Sequence, residues 1–319
     1  MTPQKTALVI GATGGIGGAL AERLLADGWA IRALNRDPAK ARVGREAFDW
    51  VKGDAMVAND VVAAAQGCEI IVHGANPPGY RNWAGLQLPM LNATIAAAQA
   101  NGARILFPGT VYNYGEDAFP ILTETSPQTA ISRKGAIRVR MEQALREARV
   151  PVLIVRAGDF FGPKPGNNWL SQGLVKPGRP IRAVMYPGPL SVDHAWAYLP
   201  DVAETFVQLL NTDLGAFETF HMQGQQANGH QFIAALETAA GRKLGVSRMP
   251  WLALATVAPF NETLREMQEV RYLWRRPVVM DNARLVAKLG AEPRTPLADA
   301  LRAALIGQGS LPAQIAQAA

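Results

Sequence analysis

The sequence predicts an α/β fold, a doubly wound parallel sheet followed by a smaller C-terminal lobe. Three observations carry that prediction. Short aliphatic runs recur at 7–10, 29–34, 48–51, 70–73, 103–107 and 151–156, separated by stretches of helical spacing. Strands joined by helices of that length require right-handed crossovers within one parallel sheet. Apolar residues make up 49% of the 319 positions and charged residues 18%, which suits a chain with a large core and excludes a disordered one. Beyond Arg156 the texture changes, because Pro163, Pro165, Pro177, Pro180, Pro187 and Pro189 punctuate a stretch rich in aromatic residues. Insertions are expected there rather than another regular βα unit. The boundaries drawn are 1–156 for the sheet, 157–306 mostly for the lobe with segments returning to the sheet, and 307–319 for a frayed tail.

The first strand, 7–10, runs into Gly11-Ala12-Thr13-Gly14-Gly15-Ile16-Gly17, after which Leu20 and Leu24 mark one face of a helix. A strand that stops at glycine and restarts as a helix aims unpaired N–H groups and a helix dipole forward, which suits a pyrophosphate. Gly11 permits the tight turn, Gly14 removes a side chain that would collide with phosphates, and Gly17 lets helix and strand approach closely. A dinucleotide site of Rossmann type is expected, held by Gly11, Thr13, Gly14, Gly15, Ile16 and Gly17.

The second strand ends at Asn35-Arg36. An acidic residue there would take both ribose hydroxyls of NAD, whereas here Arg36 could face a 2′-phosphate, so NADP is favoured over NAD. After the third strand, Asp54 either meets the adenine or caps the helix starting near Ala58. The fourth strand ends at His73, a structural strand-end residue, and Ala75 and Asn76 should lie beside the nicotinamide ribose. Residues 76–80, with Pro77, Pro78 and Tyr80, form a loop over the site. A long helix over 84–100 carries Asn92 and Thr94. Farther on, Asp201 opens a helix, 217–222 reads as a strand, and three helical stretches lie between His230 and Leu305.

The spacing Gly-x-x-Gly-x-x-Gly resembles the short-chain dehydrogenase/reductase superfamily in its extended and atypical branches. Thr110-Val111-Tyr112-Asn113-Tyr114-Gly115 is similar to the family segment whose hydroxyl residue holds the substrate oxygen. The family's Tyr-x-x-x-Lys is absent. Counting back from Glu142 puts Lys134 where the Tyr is expected and Arg138 where the Lys is expected, one helical turn apart. The run 134–142 resembles the Lys-x-x-x-Arg helix of isoflavone-reductase-like and NmrA-like members, in which the lysine is assigned to the site. Arg156 to Pro163 looks like the family's turn over the nicotinamide, and 196–203 and 289–296 match its later landmarks, so the likeness covers almost the whole chain.

The resemblance implies an NADP-dependent oxidoreductase moving hydride between nicotinamide and a small carbonyl or alcohol. Thr110 would orient the oxygen, Lys134 would replace the missing tyrosine and also touch the cofactor, and Arg138 would support the ribose or the lysine. Two alternatives are a sugar-nucleotide epimerase or dehydratase, which needs a phenolate from elsewhere, and a non-catalytic NADP-binding redox sensor. Tyr80, Tyr112, Phe160, Phe161, Trp169 and Trp196, with Tyr198 and Trp274, are candidates for an aromatic substrate pocket. Asp193-His194 is the one adjacent acid and imidazole pair, but strand neighbours face opposite ways, so it is not read as a dyad.

The formal charge of +6 is spread along the chain without a basic run, which argues against nucleic-acid binding. One cysteine, Cys68, excludes an internal disulfide and a thiolate metal cluster, and its apolar surroundings suggest burial. Residues 1–5 are too short for a leader peptide, and the apolar stretch 251–260 is about half the roughly twenty residues of a membrane span. A cytoplasmic protein without membrane contact is expected, binding a small molecule. A homodimer is the family-level expectation.

Overall fold

The structure is a computed structural model that describes residues 4–77, 82–164 and 168–313. Its main sheet is built from β1 (Thr6–Ile10), β2 (Ala30–Asn35), β3 (Asp49–Lys52), β4 (Ile70–His73), β5 (Arg104–Thr110), β6 (Val152–Ala157) and β7 (Phe217–His221). All seven run parallel in the order β3-β2-β1-β4-β5-β6-β7, so the strand order reverses between β1 and β4. Alternation along the strands divides the core into two layers. Ala7 and Val9 of β1 face α1 (Gly15–Ala26) and α6 (Leu199–Leu210), whereas Leu8 and Ile10 face α3 (Ala58–Ala64), α4 (Trp83–Asn101) and α5 (Arg133–Glu147). The short α2 (Pro38–Arg42) packs beside β3. Cys68 is buried, as its neighbours suggested.

The second lobe is not a continuous piece of chain. Strands Asp159–Phe161, Asp193–Tyr198 and Gln225–Asn228 form one small sheet. Ala183–Tyr186 pairs with Gly245–Arg248, and Ile121–Leu122, which precedes α5, pairs with Val279–Met280. Its core joins Phe161, Trp169, Tyr186, Trp196, Phe232 and Trp274 to α7 (Gly229–Ala240) and α11 (Leu297–Gly307). The stretch expected to hold three helices contains five: α7, α8 (Trp251–Val257), α9 (Glu262–Glu269), α10 (Ala283–Leu289) and α11. Apolar periodicity merges such short helices. What divides α8 from α9 is local, a turn through Pro259 and the Asn261 side chain, which caps α9 by accepting from the Leu264 N–H.

Candidate active site

The turn after β1 has the geometry of a phosphate cradle. Gly11 holds φ +89°, and a Cβ there would lie 2.5 Å from the Gly74 carbonyl oxygen at the end of β4. A Cβ on Gly17 would sit 2.3 Å from the Gly11 oxygen, and one on Gly74 2.8 Å from the Gly17 Cα, so glycine at all three lets β1, α1 and β4 touch. Gly14 differs, since a Cβ would meet only the Gly11 oxygen, at 3.3 Å. Its bareness is not demanded by protein packing. Thr13 and Gly14 are exposed, and α1 starts at Gly15 and Ile16 with no side chain capping its first N–H groups. These free donors and the open space over Gly14 fit a dinucleotide pyrophosphate, beside the point where the strand order reverses.

At the end of β2 the Asn35 amide oxygen accepts from the Asp37 N–H, while Arg36 is exposed. The neighbouring carboxylate, Asp37, is engaged in capping α2 through the Lys40 N–H. Asp54 accepts from the Met56 N–H in the turn before α3, and Val57 is the capping residue of that helix, so Asp54 shapes the approach to α3 without capping it. Beyond β4, Ala75 is half-buried and Asn76 exposed, with the Asn76 Oδ1 accepting from Gln87 of α4 at 3.2 Å. His73 is buried, bonded to Thr94 at 2.8 Å, and held neutral, its pKa pushed down to about 3 chiefly by burial and then by Arg138.

A cavity of about 60 Å³ opens next to these residues, walled by Asn76, Trp83, Thr110, Tyr112, Arg138 and Asp159, with Phe160 and Trp169 alongside. Thr110 ends β5, and its Oγ1 accepts from the Tyr112 N–H at 3.3 Å. The Tyr112 hydroxyl donates to Asp159 Oδ1 at 2.6 Å. The other oxygen, Oδ2, faces His194 Nε2 at 2.8 Å. His194 Nδ1 lies 3.2 Å from the Leu273 carbonyl oxygen, which can only accept, so Nδ1 carries a hydrogen. The imidazole stacks on Trp274 with ring centroids 3.8 Å apart. Phenol, carboxylate and imidazole thus form one chain that ends at the cavity.

Lys134 and Arg138 lie along α5, whose start is pinned close to Tyr112. Ser132 caps the helix by accepting from the Gly135 N–H, and a Cβ on Gly135 would lie 2.1 Å from the Tyr112 carbonyl oxygen. Lys134 is 3% exposed and shares with Tyr112, Trp169 and Met267 the lining of a second, smaller cavity. Burial lowers its amine to about 8, against the opposing pull of Glu266, whose carboxylate is 3.8 Å away. Burial in turn raises the Glu266 carboxyl. Arg138 reaches the Pro108 carbonyl at 3.4 Å and lies over Trp83, 5.3 Å from the ring centroid. The two cations therefore share the Trp83 face, with Lys134 at 5.6 Å.

Not every expected residue lies there. Phe161 and Trp196 are wholly buried and pack edge to face within the second lobe's core, so neither faces the cavity. Each stands two residues along its strand from Asp159 or His194, on the same face but farther into the lobe's core. Tyr198 is likewise core. Tyr80 lies outside the described residues. Arg156 is buried on Glu142 at 2.6 Å, a structural ion pair and not a cofactor contact. No spacing in the chain marks Asp159 as the partner of His194, because the pairing crosses neighbouring strands, with Trp196 opposite Asp159 in register. Trp83 was missed too, a lone aromatic at the start of α4 without a motif.

Residues 11–180, more than half of the chain, match the NAD(P)H-binding family model. No curated protein matches the sequence. Solved structures of similar fold include UDP-glucose 4-epimerase from Bifidobacterium longum in complex with NAD+ and UDP, at TM-score 0.72 and 16% identity, covering 96% of this chain and 100% of that one. The UDP-glucose-4-epimerase of Stenotrophomonas maltophila with bound NAD and formylated UDP-arabinopyranose gives TM-score 0.72 at 18% identity, covering 99% and 100%. UDP-glucuronic acid 4-epimerase from Bacillus cereus in complex with NAD gives 0.70 at 18%, covering 93% and 96%. At such identities the likeness is one of fold alone, and no residue role passes with it. With its glycine cradle at the reversal of a seven-stranded parallel sheet, the chain belongs to the NAD(P)H-binding family.

Proposed function

We propose that the protein is an NADP-dependent oxidoreductase acting on a small apolar or aromatic carbonyl or alcohol. What carries this reading is the Tyr112–Asp159–His194 chain opening onto the cavity beside Thr110. A nicotinamide dinucleotide held by its pyrophosphate at the glycine cradle would supply the hydride acceptor or donor. Thr110 keeps its hydroxyl hydrogen after accepting from the Tyr112 N–H and orients the substrate oxygen. Tyr112 takes the proton of a substrate alcohol while passing its own to Asp159 Oδ1, and the other carboxyl oxygen, Oδ2, shares a proton with His194 Nε2. In the reducing direction the same protons run back. Lys134, with its amine near 8, exchanges protons close to neutrality next to Tyr112, and Arg138 holds the Trp83 wall. Arg36 is exposed and the adjacent Asp37 carboxylate caps α2, which supports NADP over NAD.

Aromatic walls and a volume of about 60 Å³ suit a small apolar substrate better than a diphosphate sugar. The test is NADPH oxidation with a panel of aromatic and aliphatic aldehydes and ketones, alongside nucleotide affinities by calorimetry. Turnover is expected, with tighter binding of NADP than of NAD. Tyr112→Phe should lower kcat by about a hundredfold or more with little change in NADPH affinity. Undiminished turnover in that variant removes the phenol from the reaction. Nucleotide binding without turnover on any carbonyl supports the redox-sensor alternative instead.

A further inference from the structure

The apolar stretch 251–260 has no part in the site just described. It folds as α8 followed by a tight turn over Ala258–Phe260. Trp251 and Ala258 are buried and Leu254 packs partly against the core, and the Trp251 Nε1 donates to the Pro187 carbonyl at 2.7 Å. The outward side is apolar and bare: Leu252 is 88% exposed, Phe260 92% and Val257 49%, and Ala253, Ala255 and Pro259 are exposed as well. Ten consecutive residues carry no charge. An exposed apolar patch of this kind on a folded chain marks a contact surface.

The rim of the patch is cationic. A groove of about 930 Å³ beside α8 is lined by Arg248, Arg271 and Arg275 along with His230, and among the described residues no carboxylate lines it. Arg271 lies over the Trp251 ring, 4.8 Å from its centroid. The acids of the adjoining α9 are spent elsewhere. Glu266 and Glu269 pair with Arg133, Glu266 also faces Lys134, and Glu262 accepts from the Asn82 N–H. Leu252 and Ala253 of the apolar patch thus line one groove with the three arginines, while the acids of α9 have partners elsewhere.

We propose that α8, the turn after it and the three arginines are a docking face for an anionic lipid surface. No helix among the described residues is long and apolar enough to cross a membrane. The expectation of no membrane contact came from that spanning length, which does not bear on a segment lying in the headgroup plane. There Leu252, Val257 and Phe260 enter the acyl boundary while the guanidinium groups meet lipid phosphates. Arginine suits this position because its stem lies along apolar surface and its head stays in the polar layer. Charge selects this occupant over a second copy of the chain, which would set guanidinium groups against guanidinium groups.

The test uses the full chain with vesicles of equal parts phosphatidylcholine and phosphatidylglycerol, and with phosphatidylcholine alone, read by co-sedimentation. Binding to the anionic vesicles is expected, weakening as salt rises. The double variant Leu252→Asp/Phe260→Asp should lose about tenfold or more of that partitioning while keeping the parent's melting temperature. Arg248→Gln/Arg271→Gln should abolish the preference for anionic vesicles. Failure of the parent to bind either vesicle overturns the proposal, as does binding that the Asp variant retains. Inorganic phosphate binding in calorimetry without vesicle binding reassigns the groove to a soluble anion. A dimer in sedimentation that the Asp variant disperses, again without vesicle binding, gives the face to a second copy.

Discussion

A buried amine advertises itself in the pH dependence of stability, and Lys134 offers the cleanest case here. Its folded pKa, lowered to about 8 by burial, lies below the ordinary 10.5 of an unfolded lysine. Between those values the unfolded chain binds more protons than the folded one, so this group makes stability rise with pH across that window. Below about pH 8 both forms are protonated, and the cost of burying the charge is fully present. Lys134→Met removes the buried charge. The difference in melting temperature between variant and parent should therefore favour the variant most at neutral pH and shrink as pH climbs from 8 toward 10.5. A difference that stays flat would mean the amine is not desolvated. The position of Lys134 was legible by counting back from Glu142, but its burial was not, since Glu266 and Trp83 come to it from α9 and α4. Asp159 and His194 escaped for the same reason: a hydrogen bond across strands leaves no spacing in the sequence to count.

At the scale of elements, the βα turn was almost wholly legible, because strand, glycine spacing and helical periodicity all specify one conformation. What the structure adds is that its glycines do different work. A methyl on Gly17 would meet backbone at 2.3 Å and force β1 and α1 apart, whereas one on Gly14 would meet backbone only at 3.3 Å and otherwise face open space. Gly17→Ala is therefore expected to lower the melting temperature by several degrees, equivalent to about 1–3 kcal/mol of overpacking. Gly14→Ala should melt within a degree or two of the parent, by the small effect of surface substitutions, yet bind NADP about tenfold or more weakly because the methyl stands where phosphate belongs. Equal loss of stability in both variants, or unchanged NADP affinity in Gly14→Ala, would contradict this division. The short helices α8 to α10 were poorly legible because their ends rest on single turns and caps and their lengths are near two turns.

Across the whole molecule, the second lobe was legible only as a change of texture, since its strands are short and pair with distant partners. Its attachment to the main sheet runs through buried polar groups. Arg156 on β6 holds Glu142 of α5 at 2.6 Å, donates to the Tyr114 hydroxyl at 2.7 Å, and reaches the Glu124 carbonyl at 3.3 Å. Tyr114 in turn meets His221 Nε2 of β7 at 2.8 Å, and His221 Nδ1 donates to the Leu122 carbonyl at 3.0 Å. Leu122 belongs to the strand that pairs with Val279–Met280, so one network ties α5, β6 and β7 to the second lobe. His221 stays neutral within it, pushed down to about 3 by burial and by Arg156. The arrangement predicts that the two parts unfold together. Far-ultraviolet dichroism, which reports on all the helices, and tryptophan fluorescence, in which Trp169, Trp196, Trp251 and Trp274 of the second lobe outnumber Trp29, Trp50 and Trp83, should follow one transition in urea. Glu142→Ala leaves the Arg156 guanidinium buried without its ion pair, and breaking such a pair costs about 3–5 kcal/mol. If the network is the tie, that variant shifts both probes to lower urea or separates them, with fluorescence leaving first. A Glu142→Ala chain that unfolds at the parent's midpoint by both probes would show that the lobes are held by apolar packing alone.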